Sequence, residues 1–561
     1  MLRPRFVRRL ATLFALVPVV ASAQTAPTPG SCTLGRAHAT LDVGDVRATF
    51  GNTGSLFYGN GIQGAYTVPK DTGRSPIYVA SLWIGGKVGN ELRVAGGAYG
   101  APSSDFTFWP GPLGAGGTAP ADCAAYDRIY TVAALDLLRY ADTGETTADL
   151  RDWPAHLGAP VIDGDGVPGN YSLAGGDQPA LRGDQMAWWL SNDVGNAHTF
   201  LATPPLGVEV RAEASAFAFG RLDRTTIYRY TVTNRTTATI DSAYVGMFVD
   251  ADLGDAADDL VGTDTTHGVA YTYNVDNADG DGSPPTYGVP PPAVGVQVLA
   301  GPVGLPNGRD DDRDGETDEL GERLGLTATR VFWGVPDASG DPNSGIEMYR
   351  SLRGLWNDGT VIRAFGYGYQ QTQGDTTTFA FSGDPVRGLV WSEVNTGAGQ
   401  NEAGDRRISL ATGPFRLAPG QSETVTFAIP FGVGTDNLDS VTELRRSALA
   451  LSNAQAAGAL EPRRIGDLVV APPSQRVRLS PPQPNPFTTR AVVRYAMPVG
   501  TRLRATLHDV LGRRVAVLAD GPTPTPEGEI AVDGAGLAPG VYRVRVSVPA
   551  GEQIVTLVRG R

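Results

Sequence analysis

The sequence predicts a mainly β protein, a multidomain chain of antiparallel β-sandwiches with few helices. Short runs of aromatic and β-branched residues, such as 77–84 (IYVASLWI) and 226–233 (TIYRYTVT), recur between turn signals. Gly 72 and Pro 42 punctuate a chain of 561 residues in which charged side chains are only 19%. That is turn-rich but below the Gly and Pro content that signals disorder. Near the C-terminus the residues alternate with period two, as strands do when one face is buried and the other wet.

The elements follow in order. The first 24 residues, MLRPRFVRRLATLFALVPVVASAQ, have the parts of a secretory signal: Arg3, Arg5, Arg8 and Arg9, then an apolar run over 10–20, then Ala21-Ser22-Ala23. Cleavage is expected between Ala23 and Gln24. The apolar run is about 11 residues, whereas a spanning helix needs about 20, so a membrane anchor is disfavoured. No later stretch is long and apolar enough to span a bilayer, and the mature chain is expected to be soluble once released. After a Thr/Pro/Gly leader come strand-like runs, a first helix over 126–140 and a loop-rich stretch over 153–185. Strong strand signals begin at 207: 214–219, 226–233 and 243–249, the last apolar on both faces as a covered central strand should be. Further strands are expected at 329–333, 377–381 and 423–430. A helix over 438–457, capped by Asp436 or Asn437, carries Val441, Leu444, Ala448 and Leu451 as its apolar stripe. The expected organisation is a signal peptide over 1–23 and a β-rich secreted body over 24–460, divisible into two sub-domains near 200–210. A Pro-rich linker over 461–483 and a C-terminal domain over 484–561 follow.

Composition narrows the function. Removing the four signal arginines takes the net charge from -13 to -17, which repels nucleic acid and leaves no footprint for binding it. Cys32 and Cys123 are the only cysteines, and in an exported chain such a pair suggests one disulfide, worth roughly 2–4 kcal/mol. A Cys/His zinc site has little material to draw on. Nucleophile and phosphate motifs (GxSxG, HExxH, a P-loop) are absent, so no catalytic residue is assigned and the chain is not expected to be an enzyme. Trp188-Trp189 and Trp109 are read as core before they are read as a sugar-binding face.

In the last domain, Leu503, Ala505 and Leu507 share one face of a strand, and Tyr542, Val544, Val546 and Val548 share one face of another. Gly512 ends a turn with positive φ and Pro539-Gly540 turns into the final hairpin, making a small immunoglobulin-like sandwich. The segments PNPF (Pro484, Asn485, Pro486, Phe487), HDVLGRRVAVLADG over 508–521, GLAPGVYRVRV over 536–546 and the closing TLVRGR resemble the type A sorting domain of the type IX (Por) secretion system of Bacteroidota and relatives. Asp509, Gly512, Arg513, Gly540 and Tyr542 are the motif positions in the later segments. The chain departs from that pattern in carrying Gly560-Arg561 after the basic position held by Arg559. The resemblance implies passage through the outer membrane, the type IX machinery as a partner, removal of the domain, and attachment of the body to surface lipopolysaccharide.

In the body, GDQMAWWLSND over 183–193, LGVEVRAEASAFAF over 206–219 and YVGMFVDADLGDAADDLVGTDTT over 244–266 are similar to stretches of a recurrent family of large secreted proteins that brings no activity with it. The sharpest chemical motif is Asp310-x-Asp312-x-Asp314-Gly315, followed by Asp318 and Glu319. Alternate carboxylates before a turn glycine can wrap one Ca²⁺, which wants six to eight oxygens. Gly321 at the twelfth position excludes an EF-hand, and the loop looks more like those of thrombospondin type 3 or dockerin-like repeats. The alternative is a solvated acidic loop. Asp163 with Asp165, and Asp276 with Asp279 and Asp281, are lesser calcium candidates. A further run (Asp250, Asp252, Asp255, Asp258, Asp259, Asp264) can cradle a metal, supply paired carboxylates for glycoside hydrolysis, or merely cap turns. The expectation is a calcium-stabilised structural or adhesive protein of the outer cell surface, reached through the periplasm. An exported glycan-binding protein or glycoside hydrolase, with a glycan or envelope partner, is the alternative.

Overall fold

The computed structural model describes residues 26–467 and 478–560, except 60, 98, 100–106, 219, 307, 309, 311–315, 318–320, 498–501, 511, 524–526 and 549–550. The protein is mainly β, with antiparallel sheets and four α-helices among the described residues.

Two large sheets build the body. One runs, strand by strand, His38–Leu41, Arg47–Gly51, Ser55–Leu56, Val79–Val88, Ile240–Asp250, Arg406–Leu417 and Ala328–Trp333. The other runs Asp259–Asp264, Val269–Asn274, Ala293–Ala300, Ser422–Ile429, Thr226–Asn234, Val208–Ala216, Gln185–Asn192 and Trp109–Pro110. Alternation sorts each strand's side chains. Ala80, Leu82, Val245, Met247 and Val249 of the first sheet meet Val208, Val210, Tyr228, Tyr230, Val425 and Phe427 of the second in one buried core.

The outer faces are covered as well. Helix Gly345–Leu352 lays Met348, Tyr349 and Leu352 on Trp83, Phe248 and Phe332 of the first sheet. Helix Asn437–Ala456 lays Val441, Leu444 and Ala448 on Leu260, Tyr271 and Tyr273 of the second. Double coverage is why the strand Ile240–Asp250 is apolar on both faces. The helix Asn437–Ala456 starts where Asp436 Oδ1 accepts the Asp439 N–H at 2.8 Å. Asp436→Ala is therefore expected to cost about 1 kcal/mol in a urea melt, and Asp436→Ser to recover most of it.

Several expectations are corrected. The helix expected over 126–140 is strand Tyr130–Ala133 followed by helix Ala134–Thr143. Tyr130, Thr131 and Val132 pair along Gln185–Trp188 of the neighbouring strand, and only after Ala133, whose N–H donates to Asp136 Oδ2 at 2.9 Å, does the chain coil. The strand expected over 377–381 is reduced to the pair Thr376–Thr377. No division falls near 200–210, because Gln185–Asn192 pairs along its whole length with Val208–Ala216. Both ends of the expected linker are taken up by folded structure. Arg463 reaches Asp184 Oδ1 at 2.9 Å, and Gln483 and Val492 exchange backbone hydrogen bonds.

Residues 478–560 have a core of their own. A three-stranded sheet (Arg478–Leu479, Arg490–Ala496, Glu527–Asp533) and a four-stranded one (Arg514–Pro522, Arg502–Asp509, Gly540–Val548, Gly551–Arg559) enclose Val493, Leu503, Ala505, Leu507, Ile530, Val532, Val544, Val546 and Leu557.

Candidate metal centre

The structure separates the six aspartates of 250–264 into three environments. Asp264 accepts from His267 Nδ1 at 2.8 Å and pairs with Arg445 Nε at 3.1 Å, which satisfies its charge. Asp255 accepts the Ala257 N–H at 3.0 Å, plain turn chemistry, while Asp258 ends the short 3-10 turn Ala256–Asp258 and Asp259 opens the next strand. Asp250 and Asp252 instead meet Asp405, which lies far along the chain.

That meeting follows from strand register. Asp250 ends the strand Ile240–Asp250 opposite Arg407 of the strand Arg406–Leu417, and Asp405 immediately precedes that strand. Asp252 stands in the turn that follows with φ +37°, left-handed backbone that few non-glycine residues adopt. One oxygen from each of Asp250, Asp252 and Asp405 lies within 4.8 Å of the others. Arg407 is the cation of the group: it donates to Asp405 Oδ2 at 2.6 Å, lies 3.6 Å from Asp250 Oδ2, and lies 3.6 Å from Asp341 Oδ2. Burial, then the charge of Asp252, push the Asp250 carboxyl up to about 7, against the pull of Arg407. Asp252 and Asp341 are raised too, by burial first.

A second acidic trio is made of Asp163, Asp165 and Asp177. Its oxygens are occupied by the loop's own donors: the Gly166 N–H on Asp163 at 2.6 Å, the Val167 N–H on Asp165 at 2.9 Å, and the Gly164 and Ser172 N–H groups on Asp177 at 2.9 and 2.7 Å. Those two backbone donors hold Asp177 below the usual carboxylate range.

The other predicted residues fall as follows. Asp276, Asp279 and Asp281 do not converge. Asp276 and Asp281 each accept an N–H two residues on, from Ala278 and Ser283 at 2.8 Å, whereas buried Asp279 clamps the Asp255 and Tyr287 N–H groups at 2.8 and 2.6 Å. A carboxylate held by its own turn is aimed along the backbone, not at its neighbours. Of the main motif, Asp312, Asp314, Asp318 and Glu319 lie outside the described residues, as do Ala23 and Gln24 at the expected cleavage point. Cys32 is bonded to Cys123 with Cα atoms 5.6 Å apart. Trp109, Trp188 and Trp189 are buried.

The sorting-motif positions converge within residues 478–560. Phe487 is in the core, its N–H donates to Val558 O at 2.9 Å, and its carbonyl accepts from Gly560 at 2.7 Å. Asn485 Oδ1, between Pro484 and Pro486, accepts the Val558 N–H at 2.7 Å. Asp509 takes both the N–H and Nε of Arg513, at 2.9 and 2.7 Å, across a turn in which Gly512 has φ +76°. Tyr542, two residues into the strand opened by Gly540, donates to Ala538 O at 2.9 Å. The first and last motifs are thus bonded to each other.

Sequence reasoning missed Asp405, Asp341 and Arg407 at the first trio and Asp177 at the second. No spacing signal links Asp250 and Asp252 to Asp341 or Asp405, which strand pairing brings to them.

Buried acid also sets a pH dependence. Burial pushes Asp258 up to about 6 and raises Asp259 and Asp279 as well. The native chain then keeps protons that the unfolded chain loses near pH 4. The stability these groups contribute is present below about pH 4 and is lost as pH rises through their folded values. Groups lowered on folding, such as Asp42 and Asp264, act only at more acid pH, around and below about 4. Melting temperature in a chelator is expected to fall between pH 5 and 8; a flat or rising profile would contradict this.

No protein-family model matches the chain, and no curated protein matches it. Among solved structures it is similar to a polysaccharide lyase at 11% identity, over 63% of this chain and 34% of that one, with a TM-score of 0.18. It is also similar to PorZ, described as an essential bacterial surface component of the type IX secretion system of Porphyromonas gingivalis, at 12% identity, over 67% and 43%, with a TM-score of 0.11. The chain spans less than half the length of either, and overlaps this slight carry no argument about function. No helix among the described residues is long and apolar enough to cross a membrane.

Proposed function

We propose that this chain is a secreted, surface-directed structural or adhesive protein, stabilised by calcium and carried through the outer membrane by its C-terminal domain as a type IX sorting signal. The observation that supports this most is the C-terminal unit itself. Its four motifs are distant in sequence, yet Asn485 and Phe487 bond to 558–560, and Asp509–Arg513 and Tyr542 close the turns of the same small sandwich. A signal read as one folded shape requires that coherence. The test is mass spectrometry of the protein's termini in separate fractions of its host. A form beginning at Gln24 and lacking residues beyond 461–483, at the surface or in the medium, is expected. A full-length form held in the periplasm, unaffected by deleting 484–561, would refute the sorting role.

A second reading, a glycan-binding protein or glycoside hydrolase, draws on the Asp250–Asp252 pair, where a carboxyl that holds its proton near neutral pH faces another acid. Reducing-sugar release abolished by Asp252→Asn would favour it; silence on a polysaccharide panel and a glycan array would remove it.

A further inference from the structure

We propose that Asp250, Asp252 and Asp405 hold one divalent cation of the calcium class, joining the end of strand Ile240–Asp250 to the start of strand Arg406–Leu417. This deepens the calcium part of the proposed function by assigning it a site, and it is independent of the sorting role.

The geometry is that of a shared ion. Ligand oxygens at about 2.3–2.6 Å from one Ca²⁺ lie no more than about 5 Å apart, and one oxygen from each of the three carboxylates meets that limit at 4.8 Å. An acidic cluster alone would not suffice, since many exist only as solvated surface. Here Asp250 is different. Its side chain is 5% exposed, and among the described residues its Oδ1 has no hydrogen-bond partner. Buried polar atoms in native proteins are almost always satisfied, and one that is not calls for an ion or a solvent molecule. Oδ1 of Asp405 and Oδ1 of Asp341 are also shielded and unpartnered, although those side chains as a whole are 43% and 32% exposed.

Charge points in the same direction. Asp250, Asp252 and Asp405 share the guanidinium of Arg407, which is committed to Asp405 Oδ2, while Asp341 is drawn by both Arg407 and Arg330. Repulsion that one cation leaves uncompensated is what a second, divalent one removes. All three donor groups are hard carboxylate oxygens, with no thiolate or imidazole among them, so the set suits Ca²⁺, Mg²⁺ or Mn²⁺ and not zinc or copper. Calcium is favoured because the three groups come from a strand end, a turn and a pre-strand residue, an irregular set that a flexible coordination sphere tolerates and an octahedral Mg²⁺ does not. The Asp405 side chain is 43% exposed, which gives the ion a way in and room for solvent to complete the shell.

The experiment is isothermal titration of the full mature chain, stripped with chelator, with Ca²⁺ and separately with Mg²⁺. Two other acidic loops, 163–177 and 310–319, could take ions of their own, so binding is compared among variants. The wild type is expected to bind Ca²⁺ more tightly than Mg²⁺ and to melt at a higher temperature with it. Asp405→Asn and Asp252→Asn are each expected to lose one bound ion or to weaken one site about ten-fold or more. Asp163→Asn is expected to leave that site unchanged. Asp250→Asn is the most direct change but alters a buried group; Asp405, being partly exposed, keeps the test valid if that variant does not fold. Asp405→Asn and Asp252→Asn binding as many ions as the wild type, with affinities within about two-fold, would overturn the proposal, as would a wild type that binds none at 10 mM Ca²⁺. Failure of export on the sorting test would leave these titrations untouched.

Discussion

Trp189→Ala is expected to destabilise the body by about 3–5 kcal/mol, the range for emptying a large aromatic site that cannot collapse. Trp189 lies on the inner face of strand Gln185–Asn192 with 2% exposure. Its ring is 5.3 Å from Phe50 of the opposite sheet and 6.5 Å from Tyr230 of its own, so the cavity would open between the two sheets, where both backbones are held by ladders. All 8 tryptophans precede residue 400, so their fluorescence reads unfolding of the body without a contribution from the C-terminal sandwich. Urea titration followed by that signal is expected to show the midpoint falling sharply in Trp189→Ala and much less in Trp189→Phe. Trp188, one residue earlier, is a useful comparison. It faces the opposite way, into a satellite cluster with Leu137, Leu150 and Trp153. Trp188→Ala is expected to loosen the 130–160 segment first, seen as early loss of amide protection there. Equal and small effects from both alanine variants would show that the two sheets do not share one core.

Asp193→Ala is expected to cost a comparable amount, about 3–5 kcal/mol, for a different reason. Asp193 is fully buried just beyond the strand Gln185–Asn192. Its carboxylate accepts the N–H groups of Leu206, Gly207 and Val208 at 2.5, 2.9 and 2.7 Å. It therefore closes the long connection between two strands that then pair along their whole length. Alanine leaves three buried donors without an acceptor, and each such loss costs about 1–3 kcal/mol, not additively. Both ring nitrogens of His198, within the same connection, face carbonyl oxygens, of Val94 at 2.8 Å and of Asp193 at 2.6 Å. Asp193→Asn keeps one acceptor oxygen and is expected to lose less than half as much. A urea midpoint in Asp193→Ala within about 0.5 kcal/mol of wild type would mean that the loop 194–207 is held by packing alone.

Much of the protein was legible in its residues, because local physics carries that part of the information. Period-two alternation placed Leu503, Ala505 and Leu507 inside, and they are buried. The stripe Val441, Leu444, Ala448 and Leu451 and the Asp436 cap defined the long helix, because capping and a 3.6-residue period act within a few turns. The apolar run around Val245 announced a strand covered on both faces, though not what covers it.

What residues distant in sequence do together was settled only by the tertiary structure. Asp250 and Asp252 look like any turn acids after a strand. Pairing in register with Arg406–Leu417 is what carries Asp405 and Arg407 to them, and register depends on which strands become neighbours in the sheet. The same holds for Asp177 beside Asp163 and for Asn485 against Val558. The continuity of the body across 200–210 likewise came from a strand pair that no local signal specifies. Sequence determined the mainly β class, the long helix and most strands and turns, since these rest on interactions between near neighbours, whereas at Tyr130–Ala133 pairing with a distant strand overrode the helical pattern. The meeting of the carboxylates rests on sheet order, which the whole chain decides at once by burying two sheets against each other.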